Sequence, residues 1–137
     1  MLVLGLGLLT VGCGGGGDDG SGGIQSTPNP VTLQQVQSAV FTQSCALSDC
    51  HRGASAPFDL DFTAGQTLGN VVGVASAEKP DFDRVEPRNP TDSYVYMKVT
   101  GDLRIGGDPM PPLNLAPPLT AQQLELLRQW IEQGALP

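Results

Sequence analysis

The segment from Cys45 to His51 contains the residues whose types and spacing could best support chemistry. It holds two of the three cysteines of the 137-residue chain and its only histidine, as Cys45, Cys50 and His51. Thiols can bond covalently to a prosthetic group, and an imidazole nitrogen can bind iron. Two thiols followed directly by a histidine can therefore attach a haem and ligate its metal from one side.

Two other chemistries are open to the same residues. Cys45 and Cys50 could form a disulfide, which is common in exported proteins, but His51 would then have no role. A structural zinc site takes four protein ligands, and the domain contains no further cysteine or histidine to complete one. A carboxylate would have to fill the fourth position. Disulfide and zinc therefore stay as alternatives to haem.

A haem iron bound by His51 would need its second axial ligand from another residue type, because the chain has no second histidine. The candidates are Met110, Met97 and, after them, Lys98. Met110 lies between prolines in a glycine-rich segment, where a rigid extended backbone can present its thioether. Met97 falls on a predicted helix, where a methionine more often fills the core. Met110 is therefore the favoured ligand, and core packing is the alternative for both methionines.

Two helices can be predicted from their capping boxes, a threonine followed three residues later by a glutamine. The first begins at Thr32 and should run to Cys45, so that the segment from Cys45 to His51 leaves its C-terminal end. The second begins at Thr120, repeats apolar residues at spacings of three and four, and should end at Gly134. These two helices are expected to frame the domain.

Two shorter helices are expected between them. One covers about residues 63 to 72. The other runs through residues 94 to 99, with Asp92 or Ser93 as its N-cap and Gly101 as its end. The remaining segments are broken by glycines and prolines and should form long irregular loops. Long loops in a compact domain usually wrap something or have a function.

Composition and charge limit what the chain can bind. Aromatic residues make up 5% of the sequence, beside 18 glycines and 12 prolines, so few large side chains can fill a core. An apolar prosthetic group would supply the missing burial. The formal charge is −7 without a cluster of basic residues, which argues against nucleic acid and anionic lipid as partners. A partner with a basic docking face fits better.

The N-terminal residues predict export and a lipid anchor. Residues 1–12 form an apolar run that is too short to span a bilayer and ends just before Cys13. This run resembles a bacterial lipoprotein signal, which implies lipidation of Cys13; a buried strand with an ordinary thiol is the alternative. Residues 13–30 are poor in apolar side chains and predict a flexible tether, and residues 31–137 form the folded domain.

The chain as a whole resembles the single-haem c-type cytochrome domain of a bacterial lipoprotein. The features are a helix that leads into a C-x4-C-H segment, the run Gly107 to Pro111 that contains a Met-Pro pair, and an amphipathic last helix. The four residues between the cysteines exceed the usual two, and the extra pair should loop out. The resemblance implies an all-α domain of three to five helices wrapped around one covalent haem c.

The same resemblance implies a function and a location. Cys45 and Cys50 would attach the haem, His51 and Met110 would be its axial ligands, and the protein would carry electrons without catalysis. Basic or aromatic residues near the haem propionates are suggested as well; the candidates are Arg84, Arg104 and Trp130. The protein would be lipid-anchored in the periplasm or at the cell surface of a Gram-negative bacterium, at the outer rather than the inner membrane. A lipid-anchored binding or structural module with a disulfide and no haem is the alternative.

Overall fold

The structure is a computed structural model that describes residues 29–137. The predicted signal segment 1–12, the predicted lipidation site Cys13 and nearly all of the tether lie outside these residues. The described part contains four α-helices and no β-strand, so the predicted all-α class is confirmed. The helices are α1 (Leu33–Val36), α2 (Thr67–Val71), α3 (Tyr94–Thr100) and α4 (Ala121–Glu132). None of them is long and apolar enough to cross a membrane.

Both predicted capping boxes are present. The Thr32 hydroxyl accepts a hydrogen bond from the Gln35 backbone N–H, and the Gln35 side chain accepts one from the Thr32 N–H in return. Thr120 and Gln123 make the same reciprocal pair at the start of α4. Each box satisfies backbone donors that a helix start leaves free, so these two starts are fixed by local sequence.

Helix α1 continues beyond Val36 as a π-helix, Gln37–Cys45. The helix therefore reaches Cys45 as predicted, but its wider turn was not predicted. At its end, the Ala46 N–H donates to the Phe41 carbonyl, five residues back, at 2.7 Å. π-Helical turns are rare and often lie at functional sites. Here the π-helical segment ends at Cys45.

Helices α2 and α3 lie where the sequence predicts them, but α2 differs in length and α3 in its cap. Helix α2 covers Thr67–Val71, whereas the sequence predicts about residues 63 to 72. Helix α3 begins after Ser93 and ends at Gly101, which has a positive φ of 70°. The Ser93 hydroxyl does not cap α3; it donates to the Asn89 carbonyl at 2.9 Å instead. Two 3₁₀ turns, Pro57–Asp59 and Pro90–Asp92, complete the helical segments among the described residues.

The core lies where α1 and α3 pack on α4. Trp130 of α4 is fully buried and meets the Phe41 ring edge-on at 6.0 Å between ring centroids. Phe41 in turn stacks on Phe62 at 4.8 Å. Phe62 follows the Cys45–His51 segment in the chain, so this aromatic stack joins the core to that segment.

The loop between α2 and α3 returns beside α3. Isolated backbone bridges join Val72 to Val85 and Ala75 to Asp83. The Val95 N–H then donates to the Arg84 carbonyl at 2.9 Å, which ties the first turn of α3 to the loop. The loop therefore lies against α3, at the edge of a cavity.

Candidate functional site

The four residues predicted to bind haem lie around one cavity. Cys45, Cys50, His51 and Met110 all line it, and its volume is about 230 Å³. Most of the other lining side chains are apolar, and they come from loops that are far apart in sequence. They include Leu47, Pro57, Phe58, Leu60, Phe62, Val95, Val99, Pro111, Pro112, Leu115 and Ala116. Phe58 and Leu115 are exposed, at 57% and 71%, although both line the cavity.

The residues between the two cysteines loop out, as expected from their number. The Cys50 N–H donates to the Leu47 carbonyl at 3.1 Å and closes a tight turn. The His51 N–H donates to the Cys45 carbonyl, also at 3.1 Å, so the backbone of the histidine returns to the first cysteine. Asp49 in the turn has a positive φ of 66°, which aspartate tolerates better than most residues.

Both thiols are free in the structure, and both are half-buried. Burial and, as a smaller cause, the nearby Cys50 together raise the pKa of the Cys45 thiol to about 12. Cys45 is therefore protonated at neutral pH. The disulfide considered from the sequence is not formed.

The imidazole of His51 has an unused buried nitrogen. Its Nδ1 atom makes no hydrogen bond within the described residues. The pKa of His51 is lowered, chiefly because burial disfavours the charged ring; the Leu60 backbone carbonyl opposes this shift. The charges of Arg84 and Lys98 lower the pKa further. His51 is thus held as a neutral imidazole, the form that binds metals.

The two candidate methionines have different surroundings. Met110 is half-buried and lines the cavity, and its N–H donates to the Lys98 carbonyl of α3 at 2.8 Å. Met97 is 1% exposed inside the core, and it is not among the residues that line the cavity. The geometry agrees with Met110 as the side chain available to an occupant and with Met97 as core filling.

One wall of the cavity is polar, and the sequence did not indicate most of it. Lys98 is buried and forms an ion pair with Glu78 at 2.9 Å, while its Nζ also donates to the Gly106 carbonyl at 2.7 Å. The Tyr94 hydroxyl donates to Glu78 at 3.2 Å. Lys98 is the third candidate for the second iron ligand, but its ammonium group already has two partners.

Of the three residues suggested for the propionates, only Arg84 lines the cavity. Arg104 lies outside it, half-exposed, in ion pairs with Asp92 at 2.9 Å and Asp102 at 2.8 Å. Trp130 is a core residue whose Nε1–H donates to the Leu136 carbonyl at 2.8 Å. Arg104 and Trp130 therefore do not line the cavity, where a residue near the haem propionates would be expected. The side chain of Arg104 forms surface ion pairs instead, and that of Trp130 packs in the core.

The donor set fits a haem better than a bare metal ion. Within residues 29–137 no three His, Cys, Asp or Glu side chains are grouped so that they could hold an ion. Haem iron needs only two protein ligands, and here an imidazole and a thioether line an apolar cavity beside two thiols. No known protein family, curated protein or solved structure matches the chain.

Proposed function

We propose that the domain binds one covalently attached haem c and transfers single electrons. Cys45 and Cys50 would form the thioether bonds to the haem, and His51 and Met110 would ligate its iron. The observation that supports the proposal is that these four side chains line one apolar cavity although Met110 lies 59 positions after His51 in the sequence. The bound haem would supply a one-electron iron couple.

The chain's own residues have separate tasks in this proposal. The thiols would fix the position of the group, and the loop between them brings the His51 backbone back to Cys45. His51 is neutral because it is buried, so its ring can donate a lone pair without first losing a proton. Apolar side chains make up most of the cavity wall and would limit the access of water. Thioether and imidazole ligation in such surroundings raises a reduction potential relative to two imidazoles or to solvent-exposed haem.

The same ligand set argues for a carrier rather than an enzyme. With His51 and Met110 both bound, no coordination position stays open to a substrate. The chain would then exchange electrons with redox partner proteins, and its net charge of −7 favours a partner with a basic docking face. A lipid on Cys13 would be the only membrane attachment. The location would be the periplasm or cell surface of a Gram-negative bacterium, at the outer rather than the inner membrane.

A matched pair of leucine substitutions tests the ligand assignment. The protein is produced in a bacterium able to attach c-type haem, and optical spectra of the oxidised and reduced forms are recorded. Met110→Leu should convert the low-spin spectrum of the wild type to a high-spin one, because leucine cannot ligate iron. Met97→Leu should leave the spectrum unchanged and cost less than about 1.5 kcal/mol of stability, since the two side chains have similar volumes.

The opposite pattern would overturn the assignment. A Met110→Leu protein with the wild-type spectrum would exclude Met110, and a change in Met97→Leu alone would favour the core methionine. Reversible uptake of one electron per chain in a redox titration is expected of the wild type. A wild-type chain without haem would contradict the proposal as a whole.

A further inference from the structure

The turn that precedes Leu60, a residue of the cavity wall, has a backbone that needs outside support. Phe58 and Asp59 follow each other with positive φ angles of 59° and 55°. This left-handed region is unfavourable for residues with a side chain, and two in succession persist only when their surroundings hold them. Phe58 is also 57% exposed, so burial of its ring does not hold the turn.

Arg84 supplies that support from the cavity wall. One guanidinium nitrogen, Nη2, donates to the Phe58 carbonyl at 2.7 Å, and the other, Nη1, donates to the Asn70 carbonyl at the end of α2 at 2.8 Å. Arg84 is only 9% exposed and forms no ion pair with any residue from 29 to 137. Two backbone carbonyls are thus the acceptors of a buried charge, and bonds to a charged donor are the stronger kind.

The turn held by Arg84 forms part of the cavity wall. The Asp59 N–H donates to the Ala56 carbonyl and the Leu60 N–H to the Pro57 carbonyl, each at 3.1 Å, so the turn is one hydrogen-bonded unit. Pro57 and Phe58 of this unit, and Leu60 at its end, line the same cavity as His51. A displaced turn would move these side chains out of the wall.

We propose that Arg84 is a positioning residue, which clamps the Pro57–Asp59 turn to α2 and thereby holds this turn in the wall of the cavity. The importance of this wall for a bound haem rests on the proposed function; the clamp itself does not. The planar guanidinium suits the task because its two nitrogens reach two carbonyls at once. A lysine ammonium would keep the charge but lack this fork.

Amide hydrogen exchange measured by NMR tests the clamp. Arg84→Lys retains the charge and loses the fork, whereas Arg84→Gln loses both. In each variant the Asp59 and Leu60 amides should exchange roughly ten- to a hundredfold faster than in the wild type, as expected for loss of a charge-assisted hydrogen bond. Arg104→Lys is the matched control, because Arg104 lies outside the cavity, and its exchange pattern in the turn should equal that of the wild type.

Unchanged exchange in Arg84→Lys would overturn the proposal, because it would show that the charge suffices. In haem-loaded protein, electron paramagnetic resonance of the oxidised iron reports the surroundings of the iron. The g values should shift in Arg84→Lys, in which the cavity wall is displaced, and stay constant in Arg104→Lys; constant values in both would overturn the link to the cavity. If the wild type takes up no haem, the proposed function fails, yet the exchange rates of the same preparation still decide whether Arg84 holds the turn.

Discussion

Gln37 should stabilise the domain through its amide group, and its loss can be assigned a magnitude. The residue opens the π-helical turn and is 9% exposed. Its Nε2 donates to the Phe62 carbonyl at 2.8 Å, and its Oε1 accepts from the Thr67 hydroxyl at 2.6 Å. The Thr67 hydroxyl has a second acceptor, the Thr63 carbonyl at 3.2 Å, to which it can turn. The Phe62 carbonyl is the group that Gln37→Leu would leave buried and unsatisfied.

The expected cost of Gln37→Leu is about 2 kcal/mol, since one unsatisfied buried acceptor costs about 1–3 kcal/mol. For a domain of about 100 residues this corresponds to a melting temperature lower by roughly 8–16 °C. Urea and thermal unfolding, followed by far-ultraviolet circular dichroism on the same form of each protein, measure it. Gln43→Leu on the exposed side of the same helical segment is the matched control and should stay within about 0.5 kcal/mol of the wild type. A Gln37→Leu protein as stable as this control would refute the reasoning.

Two further substitutions and the reactivity of one thiol can also be predicted. Thr120→Ala removes the cap of α4 and should cost about 1 kcal/mol in urea unfolding. Hydrogen bonds from Arg104 lower the pKa of Asp102 from 3.8 to about 2, so the carboxylate stabilises the native state above its ordinary pKa and loses this effect as the pH falls through about 2. The stability of Asp102→Asn should therefore fall less steeply than that of the wild type between about pH 5 and pH 2. Because burial raises the pKa of Cys45 to about 12, the haem-free native protein should alkylate this thiol at pH 8 at least about a hundredfold more slowly than the urea-unfolded chain.

Each of these predictions has its own contradicting outcome. Gln122→Ala is the control for the cap, being exposed on the same first turn; equal costs for it and Thr120→Ala would refute the capping role. If the stabilities of Asp102→Asn and the wild type depended on pH in the same way, the Asp102 carboxylate would have the same pKa in the folded and the unfolded chain. Equal alkylation rates of Cys45 in native and unfolded protein would contradict its burial.

The sequence predicted best what depends on neighbouring residues. The starts of α1 and α4 follow from capping boxes at Thr32 and Thr120, and the end of α3 follows from a glycine that accepts a left-handed backbone. The loop between Cys45 and Cys50 could likewise be foreseen, because attachment of one haem to both thiols would require the extra pair of residues to loop out. In all these cases the physical cause lies within about five residues of its effect.

The rest depends on contacts between distant segments, which local patterns do not encode. The π-helical turn accompanies bonds from Gln37 to Phe62 and Thr67, so helical periodicity gave no sign of it. The ion pair of Lys98 with Glu78 could not be predicted from local patterns either, since the two residues lie in separate segments of the fold. The family resemblance suggests Arg84 only as a basic residue near the haem propionates, whereas its position was needed to find the two carbonyls to which it donates.

The central claim is that Cys45 and Cys50 hold a haem covalently, and intact mass under denaturing conditions tests it most directly. Wild-type protein and a Cys45→Ser/Cys50→Ser double variant are purified from the same haem-attaching host, so that any lipid contributes equally to both. The account predicts that the wild type alone exceeds its polypeptide mass by one haem. Equal mass increments in the two proteins, or a wild type that lacks only the two hydrogens of a disulfide, would contradict it.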